Sequence, residues 1–339
     1  MQVKVYVGKS NKLINYNSII IKKSIDEICN TADIVCPLTE LKKAEKHDKI
    51  IIKAVMWNND ERHVTTTLID EISAILNNNQ KQITIHSRSY ARDIIDSTDS
   101  GRIEGGTLVE VVRKIAQKYN PNIAVSHYPT NKDYSPPIKS FVWENESVWQ
   151  KLLTIAENNN YAIASNQKSG LYVWNKSQYL SSIPNHSLKE NSNIKSAVLN
   201  KKGYEQFNCY KIKGNYEIGE KFDYKCNNKR VFTLFFTDEN ISRKELLNRA
   251  QSELKRRKSD ELNINVYGWG LNEKEIENLK IINKSKQEVF YEPNQLIKVN
   301  IPSFDINDYK VIKSVELILN NEEFSSNLIL VDQGAKNEY

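Results

Sequence analysis

No apolar run in the 339-residue chain approaches the roughly 20 residues that a membrane-crossing helix needs. A helical membrane protein is therefore not expected. The N-terminus, Met-Gln-Val-Lys-Val-Tyr-Val, alternates as a strand does and has no signal-peptide core. The product is thus expected to stay in the cell that makes it, unless another machine carries it out. Cysteine is sparse. Cys29, Cys36, Cys209 and Cys226 show no Cys-x-x-Cys spacing. Without an export signal, reduced thiols in strands are expected, with a Cys209–Cys226 bridge across a hairpin as the alternative. Glycine is also scarce, at 11 residues, beside abundant Asn and Lys, a composition that an AT-rich genome produces by itself. The net charge of +6 is spread among acidic neighbours, so it does not argue for a nucleic-acid partner. Of the five histidines, none lies in a His-Glu-x-x-His arrangement or beside a cysteine cluster.

What is there reads as a soluble globular chain, 39% hydrophobic and 27% charged, long enough for two or three domains. Short strands come first: Gln2–Val7, Ile14–Ile25, Ala32–Leu38, then Lys49–Trp57 and His63–Ile69 as a hairpin about a polar turn. Gln82–His86 ends this run, and strands with polar turns in this number predict a barrel or sandwich. At Ser87-Arg88-Ser89 the alternation breaks, and Ala91, Ile94 and Ile95 fall at helical spacing. Helices follow. Thr107-x-x-Glu110 is a capping box ahead of the stripe Leu108, Val111, Val112, Ile115 and Ala116. A second helix spans Glu146–Asn158, and Tyr161–Ala164 with Gly170–Trp174 form a hairpin. Ser181–Asn193, polar and with Pro184, reads as a linker. Strands then resume, interrupted by a third helix from Ser242 to Arg256 with Ser242-x-x-Glu245 as its capping box. The last hairpin turns at Asn320-Asn321-Glu322-Glu323, and Gly334–Tyr339 should fray. The fold class expected is α+β, mainly β: a barrel-like domain over 1–98, a small α/β domain over 99–190, and a second barrel-like domain over 191–339 with a helical insertion near 237–260. The two β regions are candidates for distant copies of one module.

Several corners resemble those of a known family. Ser87-Arg88-Ser89 followed by Asp96-Ser97-Thr98 is similar to the strand-to-helix junction of phage Mu-type baseplate hub proteins, the late control gene D family, with Ser for a glycine and Ser for a cysteine. Leu254–Lys258 and then Tyr267-Gly268-Trp269 resemble the family's basic helix end and Gly-Trp strand end. Tyr291-Glu292-Pro293-Asn294 resembles its aromatic-x-Pro-Asn turn, and Leu152-Leu153 with Ala156–Asn159 its middle helix. The resemblance runs over nearly the whole chain. It implies two similar β-barrels per chain and a homotrimeric ring of six barrels that adapts a sixfold tail tube to a threefold spike. Type VI secretion spike proteins follow the same plan. The implied partners are the spike, the tube and other baseplate components, with DNA only in transit and no membrane insertion. The implied location is the virion baseplate, after assembly in the bacterial cytoplasm.

The residues that could carry chemistry also have simpler roles. Asp93, Asp96 and Asp99 are spaced by three and could pair as carboxylates, but a polar face or turn accounts for them. Gly105-Gly106-Thr107 precedes a helix but lacks the P-loop lysine, so capping is the simpler account. His63, beside Asp60 and Glu61, reads as a solvated turn, and His86 as an outward strand residue. The five tryptophans, Trp57, Trp143, Trp149, Trp174 and Trp269, read as core or subunit contacts. No catalytic residue, metal or cofactor is expected. The sharpest charge run is Lys255-Arg256-Arg257-Lys258, favourable at a helix C-terminus. Within it, Arg256 and Arg257 are the candidate subunit-interface residues. Arg257 continues the buried stripe and should find a carboxylate at the subunit boundary. A tail-associated cell-wall hydrolase and a barrel-fold nucleic-acid-binding module are the alternatives to a structural hub.

Overall fold

A computed structural model describes residues 2–56, 59–77, 80–128, 135–176, 181–235, 242–270 and 290–332. Trp57, Gln287–Val289 and Gly334–Tyr339 lie outside the described residues. The N-terminal part is all strand: β1 (Gln2–Val7), β2 (Lys12–Ile14), β3 (Ser18–Ser24), β4 (Thr31–Pro37), β5 (Lys49–Val55), β6 (Glu61–Leu76) and β7 (Lys81–Arg88). The middle part runs α1 (Arg92–Ile95), β8 (Thr98–Thr107), α2 (Leu108–Tyr119), β9 (Val125–Tyr128), β10 (Pro137–Ser147), α3 (Val148–Asn158), β11 (Tyr161–Ser165) and β12 (Leu171–Asn175). The rest comprises β13 (Ser181–Lys189), β14 (Ile194–Asn200), β15 (Cys209–Lys213), β16 (Ile218–Phe222), β17 (Val231–Phe235), α4 (Arg243–Lys258), β18 (Glu261–Tyr267), β19 (Gln295–Ile301), β20 (Ile306–Leu319) and β21 (Phe324–Asp332). The class is α+β, mainly β.

Alternation explains the first strands. Val3, Val5 and Val7 point inward from β1, and Ile50, Ile52 and Ala54 from β5, while the residues between them are partly exposed. The two β regions share one core and one sheet of 13 strands, ordered β14-β18-β21-β20-β3-β4-β7-β6-β5-β1-β2, with β19 and β13 branching from β20. The joint is β3 against β20, Ile19 opposite Leu319 through Ser24 opposite Ser314. Among the described residues no strand pairing closes either half on itself.

The halves repeat one another. In the first, β3-β4-β7-β6-β5-β1 are neighbours in that order; in the second, β14-β18-β21-β20-β19-β13. The β6–β7 and β20–β21 hairpins agree in detail. Against its hairpin partner, each first strand bulges once, between Ile69 and Glu71 in β6 and between Ile312 and Ser314 in β20. Each turn is closed by its Asn: Asn77 N–H donates to the Gln80 carbonyl and Asn320 N–H to the Glu323 carbonyl, both at 2.9 Å. On this register Leu76 matches Leu319. Through the pairings of the next strands, Ile34 matches Ile264, and Ile20 matches Val198.

The middle part has its own core, in which α2 and α3 bury Leu108, Val112, Ile115, Leu152 and Ala156. Both expected capping boxes form, at Thr107/Glu110 and Ser242/Glu245. Other expectations change. Ile14–Ile25 is two strands, because Tyr16 turns inward to donate to the Val3 carbonyl at 2.9 Å. The expected linker contains β13, which pairs in parallel with β19. Asp99-Ser100-Gly101 is part of β8, paired with β10. Gly101 is required there: a Cβ would lie 2.3 Å from the Trp143 ring. Gly268, at φ 75, and Asn294, at φ 70, occupy the left-handed region. These two residues give the Gly-Trp and Pro-Asn corners their shape.

Candidate subunit interface

The basic run sits on the last turn of α4. Leu246 and Ala250 bury this helix against the three-stranded sheet β16-β15-β17, where Gly219 lets the backbones meet; a Cβ there would be 2.4 Å from the Leu246 carbonyl carbon. The hub of the charges is Glu253, only 3% exposed. Burial would raise its pKa, but the Arg256, Arg249 and Arg257 guanidiniums outweigh burial and hold it below the usual range. Arg256 reaches Glu253 at 2.8 Å while its side chain stays 61% exposed. Arg257 donates to Glu253 at 3.2 Å and lies 4.0 Å from the Phe232 ring centre. The carboxylate expected for Arg257 at a subunit boundary is thus supplied by its own helix. The Phe232 ring holds it by a cation–π contact. Lys258 pairs with the buried Asp223 at 3.1 Å.

Between α3 and α4 lies a cleft of about 380 Å³, with Trp149 and Trp174 in its walls. Its charges are bridged across: Arg249 pairs with both Glu157 and Glu253, and Lys313 with Asp26 and Glu261.

The spaced aspartates do not converge. Asp93 accepts from the Asn120 amide at 2.7 Å. Asp96 takes both terminal nitrogens of Arg88, at 3.0 and 2.6 Å. Asp99 accepts from Lys118 at 2.7 Å, Trp143 Nε1 at 2.6 Å and the Tyr119 hydroxyl at 2.5 Å; these donors, Lys118 foremost, hold it down at about 2. His63 is not a solvated turn residue: its Nε2 lies 3.0 Å from both the Gln167 carbonyl and Thr66 Oγ1, and burial lowers its pKa. His86 does sit outward, 2.8 Å from Asp33. The Gly105-Gly106-Thr107 segment serves the α2 cap, and Gly105 also lets β8 approach the Lys139 carbonyl. The four cysteines are free and buried; burial pushes Cys29 up to about 11 and Cys36 to about 12. Trp143 and Trp269 are core residues. Among the described residues, no group of three or more His, Cys, Asp or Glu is placed to hold a metal ion.

Sequence reasoning missed the surfaces that the sheets leave open. β5 covers β6 only as far as Leu68, so the outer edge of Glu71–Leu76 has no backbone partner among the described residues. Ile75 and Leu76 are 41% and 70% exposed there. β14 is a second open edge: among the described residues it pairs only with β18, and its Val198 is 55% exposed. The outer face of β16-β15-β17 carries Phe222, Val231 and Phe235, all exposed. The alternation in these segments was legible, but not which face or edge would stay open.

Compared by sequence, no protein-family model and no curated protein matches the chain. Solved structures do. The chain superposes on a 43 kDa tail protein of prophage MuSo2 from Shewanella oneidensis with a TM-score of 0.78 and 15% identity, covering 99% of this chain and 100% of that one. A tail protein from Neisseria meningitidis gives 0.79 at 16% identity, over 99% and 98%. An Escherichia coli component of the type VI secretion system, described as similar to bacteriophage T4 tail proteins, gives 0.59 at 7% identity, over 97% and 76%. The chain therefore shares its fold, end to end, with prophage tail proteins.

Proposed function

We propose that the chain is a structural baseplate hub protein of a contractile phage tail, or of a prophage-derived injection particle. Three copies form a ring. Each brings two similar β units, so the ring offers six similar faces to a sixfold tail tube and a threefold seat to a central spike. The observation that carries this reading is the internal repeat: the same strand order in both halves, and the same bulge and Asn-closed turn in the β6–β7 and β20–β21 hairpins. A chain with one β unit would need six copies to meet a sixfold ring. The end-to-end likeness to prophage tail proteins supports the same reading. The partners are then the spike, the tube and the other baseplate components. The chain is assembled in the host cytoplasm, resides in the virion and meets DNA only in transit.

The role is structural rather than enzymatic. Asp93, Asp96 and Asp99, which a hydrolase would need free, are each held by donors of their own chain. The division at 1–98, 99–190 and 191–339 belongs to this proposal, with β13 contributing to the second β unit through β19. At the end of α4, Arg256 is exposed enough to face a neighbouring subunit, while Arg257 fixes the helix that presents it. Light scattering of the concentrated protein should give about three chains per particle, since weak rings dissociate on dilution. A strict monomer, even with a spike protein added, would overturn the proposal.

A further inference from the structure

Within one chain, the two β units are joined edge to edge by β20 and β3. Because the units repeat, each has a counterpart to both partners of that joint. The counterpart of the β20 segment is Glu71–Leu76 of β6, and the counterpart of β3 is β14. Both counterparts are the open edges described above. We infer that the outer edge of β6 in one copy pairs antiparallel with β14 of the next copy, repeating between chains the joint that exists within each. The inference rests on the ring proposed above and names its contact surface.

The register follows from the internal joint. There Ile318 stands opposite Ile20 and Leu319 opposite Ile19. Transferred through the repeat, Ile75 stands opposite Val198 of the next copy and Leu76 opposite its Ala197. These positions include the exposed apolar side chains of both edges, at 41%, 70% and 55% for Ile75, Leu76 and Val198. An open strand edge that carries apolar side chains is a ready template for another strand. Pairing would satisfy the backbone groups and cover those side chains at once. At the far end, Glu71 comes opposite Lys202, which lies just beyond β14 and also pairs with Glu261 at 2.5 Å. The internal joint carries a pair of opposite charge, Lys22 with Glu316 at 3.4 Å. Alternating the two joints around three chains leaves neither the Glu71–Leu76 edge nor β14 open.

The test is a disulfide across the joint. Opposed Cα atoms in an antiparallel pair lie about 4.5–5.5 Å apart, within disulfide reach. The four native thiols are buried and do not interfere. Two single variants, Ile75→Cys and Val198→Cys, are purified, mixed, exchanged and oxidised mildly. A two-chain band that appears only in the mixture, and a three-chain band from the double variant, support the joint. An Ile20→Cys, Ile318→Cys variant should cross-link within its own chain and serves as the control. A trimer by native mass without either band overturns the joint and leaves the ring standing. Absence of any multimer overturns both. As a second readout, Val198→Lys should weaken the trimer at least about tenfold with unchanged circular dichroism; an unweakened trimer contradicts the joint.

Discussion

Lys23 and Glu292 meet in the interior, 2% and 6% exposed, and join parts of the chain far apart in sequence. Lys23 also donates to the Val64 carbonyl at 3.0 Å, and Glu292 accepts from Gln167 at 3.0 Å. The pair thus pins β3, β6, the β11–β12 turn and the approach to β19 together. Removing one partner leaves the other charged and buried, which costs about 3–5 kcal/mol. Lys23→Met should show that loss in urea unfolding, and Lys23→Met with Glu292→Leu should recover most of it. A double variant as unstable as the single would contradict this account. His186 makes a different demand. It is wholly enclosed beside Tyr291, their rings 4.6 Å apart, and burial pushes its pKa down to about 3 against a hydrogen bond with the Phe290 backbone. The unfolded chain, near 6.5, binds the proton more readily. The stability this group contributes is therefore present above pH 6.5 and lost as pH falls toward 3, by at most about 1.4 kcal/mol per unit. His186→Phe should flatten the fall of Tm between pH 6.5 and 4. A parallel curve would show that His186 does not drive it.

At the scale of elements, α4 lies against the small sheet because Gly219 has no side chain. Gly219→Ala should cost about 1–3 kcal/mol by forcing the helix outward. Gly203→Ala, with nothing within 4 Å of its added Cβ, should change stability by less than about 0.5 kcal/mol. Equal effects, read from chemical unfolding, would place the contact elsewhere. The helices were the most legible elements. Their caps are local, and Thr107/Glu110 and Ser242/Glu245 announce themselves within four positions. β8 and β10 were not legible. Thr98–Thr107 holds three glycines and few apolar residues, and it is a strand because Trp143 and the Lys139 carbonyl require two of them, Gly101 and Gly105, beside them. Such a strand is specified by its partner rather than by its own pattern. β13 was missed for the same reason: its polar segment extends only because β19 lies beside it. For Arg257, helical counting placed the residue on the buried stripe, but its ring contact depended on Phe232, 25 positions upstream in sequence and adjacent only after folding.

The whole molecule is two copies of one β unit, held by a shared sheet and braced by the α/β part. The chain's order of elements suggests that repeat, but few side chains coincide at matched positions. The strand order, the shared bulge and the Asn-closed turns give it residue by residue. The basic helix end gives a further check at this scale. Arg256→Glu should weaken the assembled ring without loss of fold, because its guanidinium is mostly solvent-facing. Lys258→Glu, which breaks a pair with buried Asp223, should instead lower Tm. Sedimentation and thermal melts of the two variants separate these effects, and identical behaviour would remove Arg256 from the interface. The central claim is that two units per chain become six around one axis. Particle images of the purified protein, averaged without imposed symmetry, test it most directly. The account predicts a ring of three chains with six similar lobes around a central channel. A ring of six chains, or a compact particle with no channel, would contradict it.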